Sequence, residues 1–363
     1  MRIALLHGAS VNAGDFLIWE RSEKLLKYFY PDSEINSYYR NQPIDDVLDE
    51  INEHDIMILA GGPGYNAVFY PDLMPLVPNL NDIKIPIMFL GMGWYGIDNN
   101  SYSLYNYTFN GEFKELLTRS DREIHILGCR DFYSTRVLNN NGYRNALMTG
   151  CPAWYDIEKI DQLEYTGRGL SNVKKICISN CQGRNYLKAI LEIIAFLRDY
   201  FGKEVEINYV VHRGIDEEVM DIVGEFLKKQ NVNIYDISGS AEGFKIYDDC
   251  DLHIGFRVHS HIYNLSKRNL SILIEEDSRG MGVNEALGLP SIAPFVLAYH
   301  EGRMVRIHNE YMIKEIEDYI NELKYHKYKR IENAFCNMRS YFDNMTKQIM
   351  SIEKIVKRRR KKL

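Results

Sequence analysis

The chain has 363 residues, 45% hydrophobic and 26% charged, with a formal net charge of −6. This is an ordinary globular composition, which excludes collagen-like, low-complexity and wholly disordered chains. At about 150 residues per domain the length predicts two domains, each long enough to bury its own core. The longest apolar stretches, such as residues 85–90, fall far short of the about 18 residues that a membrane span needs. The acidic balance argues against general nucleic-acid binding.

Short apolar strands are expected over residues 2–7, 34–39, 55–60, 86–92, 124–129 and 146–149. A helix at 15–30 carries Ile18, Leu25, Leu26 and Phe29 at helical spacing. The short apolar start reads as a first strand and not as a signal peptide, which points to a cytoplasmic protein. The polar stretch 156–174 lacks apolar periodicity and is taken as the linker. The alternation then restarts, with strands at 175–179, 205–211, 232–237, 251–255 and 271–275. Helices are expected at 185–200, 216–229, 241–248, 257–267 and 281–287, the last stopped by Gly288. Residues 311–356 read as one long helical region. Strands alternating with helices imply parallel sheets. The predicted fold is therefore α/β, with an N-terminal domain over 1–160, a second over 172–310 and a C-terminal helical region over 311–363.

Cys129, Cys151, Cys177, Cys181, Cys250 and Cys336 contain no Cys-x-x-Cys pair and are read as free thiols in or near cores. The run Lys357, Arg358, Arg359, Arg360, Lys361 and Lys362 lies at the C-terminus; without these six cations the net charge would be −12. It is either a solvated, disordered tail or a patch drawn to an anionic leaflet.

Chemistry is expected where strands end. Asn12, Gly14 and Asp15 follow strand one, where a glycine permits close ligand approach and Asp15 is either a helix N-cap or a functional carboxylate. Gly61, Gly62 and Gly64 follow the third strand. Arg130 follows the fifth, either to hold an anion through its planar fork or to pair with Asp131. Gly255, Arg257 and His259 place a cation and a titratable group at a helix start. His261, two residues on, faces elsewhere and is read as structural. Arg279 follows the next strand. In parallel sheets these strand ends face the ligand crevice. The set Arg130, Arg257, Arg279 and His259 suits a small anion with a carboxylate and a phosphate.

At these residues the sequence resembles the polysaccharide pyruvyl transferase family. The resemblance runs in family order over about residues 3–289. It comprises Asn-x-Gly-Asp (Asn12, Gly14, Asp15), the glycine cluster, Arg-Asp-x-x-Ser (Arg130, Asp131, Ser134), Cys151-Pro152-Ala153, and Gly-x-Arg-x-His (Gly255, Arg257, His259). It implies two Rossmann-like domains of the GT-B type, acceptor side first and donor side second, with a C-terminal helix returning to the first. It also implies transfer of the enolpyruvyl group of phosphoenolpyruvate onto sugar hydroxyls of a cell-surface polysaccharide or its lipid-linked precursor, giving a ketal. Arg130, Arg257 and Arg279 would bind the donor. His259 would be the acid/base, with Asp15 beside it in the catalytic set. Asn12, Gly14, Gly61, Gly62 and Gly255 would shape the loops. No metal and no cofactor are implied, and peripheral contact with the inner face of the membrane would run through the basic terminus. Three departures stand out: Arg279 replaces a lysine, Pro63 a third glycine, and Cys151 an aspartate. The rival readings are a GT-B glycosyltransferase with a nucleotide-sugar donor and a non-catalytic binding or assembly protein of the same fold.

Overall fold

A computed structural model describes residues 1–96 and 101–361. Six short parallel strands build the first half: β1 (Arg2–His7), β2 (Glu34–Tyr39), β3 (Ile56–Ala60), β4 (Ile87–Leu90), β5 (Leu127–Cys129) and β6 (Ala146–Met148). The order β2-β1-β3-β4 forms one sheet, and a single parallel bridge from Met92 to Cys129 ties on the β5–β6 pair. Ile3 to Leu6 and Ile56 to Leu59 are buried without alternation. That is the pattern of parallel strands covered on both faces. The covering helices are α1 (Ala13–Phe29), α2 (Leu48–Asn52), α3 (Ser101–Tyr105), α4 (Gly111–Ile124) and α5 (Phe132–Asn140). Phe113, Leu116 and Leu117 on α4 pack into the same core as Phe69 and Phe89.

The second half contains β7 (Lys175–Ser179), β8 (Glu206–Val211), β9 (Val232–Asp236), β10 (Leu252–Gly255) and β11 (Leu270–Leu273), all parallel in the order β11-β10-β7-β8-β9. Between and after them run α6 (Leu187–Phe201), α7 (Glu217–Lys229), α8 (Val258–Ser266) and α9 (Ser278–Leu287). Each sheet has a switch point where the strand order reverses: between β1 and β3 in the first, and between β7 and β10 in the second. Crevices open at the carboxyl ends of strands flanking such points.

Several expectations change. The strand expected at 124–129 begins only at Leu127, because α4 runs on to Ile124 and His125 closes it in the left-handed conformation. An antiparallel hairpin, β12 (Phe295–His300) and β13 (Arg303–His308), was not anticipated and departs from the parallel pattern. The single helix expected over 311–356 is two, α10 (Met312–Tyr325) and α11 (Lys329–Arg360). Positive φ at Lys327 and Tyr328 breaks the run between them.

The chain packs as two compact units: residues 1–10, 15–157 and 338–363 in one, and 11–14 and 158–337 in the other. Residues 311–337 thus pack in the second unit, and α11 from Met338 onward packs in the first. There Gln348 donates to the Phe89 carbonyl (2.8 Å) and Asn344 to that of Met148 (2.9 Å). The basic terminus is not a free tail. Residues 357–360 are the last turn of α11, with Arg360 paired to Asp55 (2.8 Å) and Arg359 donating to the His54 carbonyl (3.2 Å). Lys362 lies outside the described residues. Among the described residues no helix is long and apolar enough to cross a membrane.

Candidate functional site

The second unit gathers its polar groups at the β7–β10 switch point. Arg257 is the N-cap residue of α8. Its N–H donates to Ser179 Oγ (3.1 Å), Nε donates to Asn180 Oδ1 (2.9 Å), and a terminal nitrogen donates to the Cys181 carbonyl (3.2 Å). Gly255 is there because its backbone presses on Ser179: a Cβ would stand 2.5 Å from the Ser179 carbonyl oxygen. Burial pulls the Arg257 pKa down from its ordinary value, and the Glu276 carboxylate opposes that. Glu276 in turn accepts from the Gln182 N–H (2.7 Å). Beside Arg257 opens a cavity of about 250 Å³, lined among others by Asn180, Gln182, Tyr209, Arg213 and Met220.

His259 is the second residue of α8 and is half-buried. The loop before α1 reaches it. Ala13 N–H donates to the His212 carbonyl (2.8 Å) and the Gly239 N–H to the Val11 carbonyl (2.7 Å), so residues 11–14 are held by the second unit. A Cβ on Gly14 would stand 2.2 Å from His259 Nδ1. The glycine of the Asn-x-Gly-Asp motif is therefore required by the imidazole, which occupies the space of its missing side chain. Asn12 lies in the same short segment.

Beneath α8 lie buried, hydrogen-bonded histidines. His261 shares Ser271 Oγ (2.7 Å) with His253 (2.7 Å), and His253 reaches Ser179 Oγ (3.0 Å), the same hydroxyl that accepts from Arg257. Burial pulls the His261 imidazole down to about 3, as expected of a neutral core histidine. Arg279 lies close enough to Arg257 to depress its pKa, but it folds back on the N-cap carboxylate of α9. Its Nε donates to Asp277 Oδ1 (3.0 Å) and a terminal nitrogen to Gln182 Oε1 (2.8 Å). The charge of Arg279 is therefore largely answered by Asp277.

Glu275, two residues beyond β11, is buried and accepts from Asn284 Nδ2 (2.7 Å) and Ser291 Oγ (2.5 Å). Burial pushes its carboxyl up to about 7. The folded chain holds this proton to about pH 7, whereas an unfolded glutamate releases it near 4.3. Stability from this group is complete at low pH and falls as pH rises between those values, by up to about 4 kcal/mol. Glu275→Gln, whose amide suits both partners, is expected to abolish that slope. Calorimetric melting of wild type and variant from pH 4 to 8 checks it, and parallel curves would rule the assignment out.

In the first unit the corresponding crevice, between β1 and β3, holds a residue that sequence reasoning missed. Arg40, just past β2, is buried. One terminal nitrogen donates to the Ala60 and Gly61 carbonyls (both 2.9 Å). Gly62 turns over the guanidinium with φ +77°, and a Cβ there would stand 2.6 Å from its other terminal nitrogen. Gly61 and Gly62 thus cradle the Arg40 guanidinium. Burial pulls the Arg40 pKa down and the Asp15 carboxylate opposes it. The signal that could have found Arg40 is the one used for Arg130, a cation at a strand's carboxyl end. Asp15 itself is in the first turn of α1 and is not its N-cap, because the helix starts two residues earlier at Ala13.

Arg130 follows β5 and is buried on Gly93. Its Nε donates to Asp131 Oδ2 (2.9 Å) and a terminal nitrogen to the Trp94 carbonyl (3.1 Å). Asp131 caps α5 by accepting from the Ser134 N–H (2.8 Å) and hydroxyl (2.7 Å), and Ser134 Oγ accepts from the Trp94 N–H (2.7 Å). The Arg-Asp-x-x-Ser element is thus a closed hydrogen-bonded turn, and of the two readings of Arg130 the pairing with Asp131 is present. Cys151 is fully buried, and burial pushes its thiol up to about 11 despite the opposing Arg130 charge. Where an aspartate would bring a negative charge, this chain carries a neutral thiol. All six cysteines are free, five of them buried and Cys336 exposed. Among the described residues no group of three or more His, Cys, Asp or Glu side chains is placed to hold a metal ion.

Two parallel α/β sheets, each with its polar groups at a switch point, and a helix that closes the chain on the first unit define a protein of the GT-B fold type. Solved structures agree. The chain is similar to UDP-N-acetylglucosamine 2-epimerase from Neisseria meningitidis bound to UDP-GlcNAc, with TM-score 0.56, 12% identity, and 96% of this chain and 100% of that one covered. It is equally similar to MnaA from S. aureus in its structure with UDP, with TM-score 0.56, 10% identity, and 92% and 91% covered. The polysaccharide pyruvyl transferase family model matches residues 12–263, and the chain belongs to that family. No curated protein sequence matches it.

Proposed function

We propose that this transferase moves the enolpyruvyl group of phosphoenolpyruvate onto two hydroxyls of one sugar in a surface polysaccharide or its lipid-linked precursor. The observation that carries the proposal is the packing of the His259 imidazole into the space left by Gly14, two residues from Arg257 and at the second switch point. A proton donor and a half-buried cation there suit an anionic enol ester. In the proposed reaction His259 gives its proton to the methylene carbon, and the double bond supplies the electron pair for the new C–H bond. Positive charge builds at C2, where the first sugar hydroxyl adds and returns its proton to the now neutral His259. The second hydroxyl then attacks C2 and closes the ketal; phosphate leaves with the C2–O bonding pair and takes up that hydroxyl's proton. Arg257 would neutralise the donor's charge. The family resemblance adds Arg130 to the donor set and Asp15 to the catalytic set. The scheme uses no cofactor or metal.

The nucleotide-sugar reading is favoured by one specific observation: the fold neighbours were solved with UDP or UDP-GlcNAc. Titration calorimetry separates the two. Phosphoenolpyruvate is expected to bind, and a chain that bound only nucleotide sugars would be a glycosyltransferase. Arg257→Ala is expected to weaken phosphoenolpyruvate binding by about 1.5–3 kcal/mol, the range for a hydrogen bond to a charged group. Arg279→Ala is expected to cost less, because Asp277 already answers its charge.

A further inference from the structure

The basic terminus has a second half elsewhere in the first unit. An open groove of about 530 Å³ is lined by Lys84, Arg122, His125, Arg358 and Arg359, with Pro86 and Ile355 as its apolar floor. Its cations come from three places far apart in sequence: the segment before β4, the end of α4, and the last turns of α11. The walls are tied together. Arg119 on α4 donates to the Ile83 (2.6 Å) and Ile85 (2.9 Å) carbonyls, and the Arg360–Asp55 pair fixes the end of α11. One carboxylate faces this groove, Glu123, and Arg119 already pairs with it (3.1 Å). Arg358 also lines a neighbouring hollow with Lys354, Lys357 and Lys361, where Glu353 pairs with Lys357 and Met350 is 61% exposed.

We infer that this face docks on an anionic bilayer surface, with the groove and the terminal turns of α11 acting as one composite site. Seven lysines and arginines against two paired carboxylates match an anionic leaflet. An exposed methionine one helical turn before Lys354 suits the interface, where long basic side chains extend towards headgroups around an apolar contact. Nucleic acid fits less well. The residues lining the two hollows include no Phe, Tyr or Trp side chain on which a base would stack, and the chain as a whole is acidic. The surface is separate from the switch-point residues and does not depend on the identity of the donor.

The test measures sedimentation of the full chain with phosphatidylglycerol/phosphatidylcholine vesicles against pure phosphatidylcholine. Binding is expected only to the anionic vesicles and is expected to fade as salt rises. Each cation near the surface is worth about fivefold in partitioning. The double variant Lys84→Ser/Arg122→Ser, which leaves the terminus untouched, is therefore expected to lose about 25-fold. Lys354→Ser/Arg358→Ser is expected to lose as much. Both pairs are exposed, so melting temperatures should stay at wild type. The inference fails if the Lys84/Arg122 variant binds like wild type, because the site would then be the terminus alone. It fails equally if the intact chain ignores anionic vesicles at low salt, or if it binds RNA through these residues and not vesicles.

Discussion

Replacing His259 with glutamine is expected to lower turnover about 10²–10⁴-fold, the usual contribution of a general acid/base, while phosphoenolpyruvate still binds. The side chain is half-buried at the start of α8, so its loss opens no core cavity and the fold should survive. The informative control is His261→Gln. That ring is fully buried against Ser271 and is held neutral. Its loss should appear in the melting temperature and leave the rate of the folded fraction near wild type. Steady-state kinetics beside thermal melts separate the two residues. Equal rate losses per folded molecule would make both histidines structural and remove His259 from the chemistry.

Gly14→Ala makes a complementary test, because it removes no proposed functional side chain. The added Cβ would meet His259 Nδ1 at 2.2 Å and Cγ at 2.7 Å, so the ring must move away. Displacing a catalytic group by about 1 Å costs about 10²-fold, and a loss of that order in kcat is expected. The loop should remain anchored, since the bond from the Ala13 N–H to the His212 carbonyl is untouched. Gly111→Ala, where the new methyl would meet nothing within 4 Å, is the matched control and should be silent. Wild-type turnover by the Gly14 variant would mean that the position of His259 does not matter to the rate.

These two residues were both legible in the linear sequence, but not their relation. The parallel strands announce themselves because a strand covered on both faces must be an unbroken apolar run, as Ile3 to Leu6 and Ile56 to Leu59 are. Such runs end where the sheet ends, so Gly14, Arg130, Gly255, Arg257 and Arg279 could be placed at strand termini from spacing alone. The stop at Gly288 was readable for the same local reason: its left-handed φ of +72° suits glycine. The break at Lys327 and Tyr328 was not, because neither residue type marks a left-handed turn, and the helical periodicity carries on across it.

What remained hidden depends on contacts between distant segments. That Gly14 exists for His259, 245 positions later, follows only once residues 11–14 pack with the second unit. The glycine cluster reads only as a strand-end loop open to a ligand until β2 pairs beside β1 and delivers Arg40 beneath it. Arg130 and Arg279 carry the charge that their residue type promises, but Asp131 and Asp277 take up their planar forks. The basic terminus looks like a disordered tail because six like charges repel along a chain. It stays helical because Ile352, Ile355 and Val356 are buried on the first unit and Asp55 takes up Arg360. Local pattern thus determines where an element starts, stops and buries a face. Which charges are left to meet a ligand is decided by their partners, and those come from elsewhere in the chain.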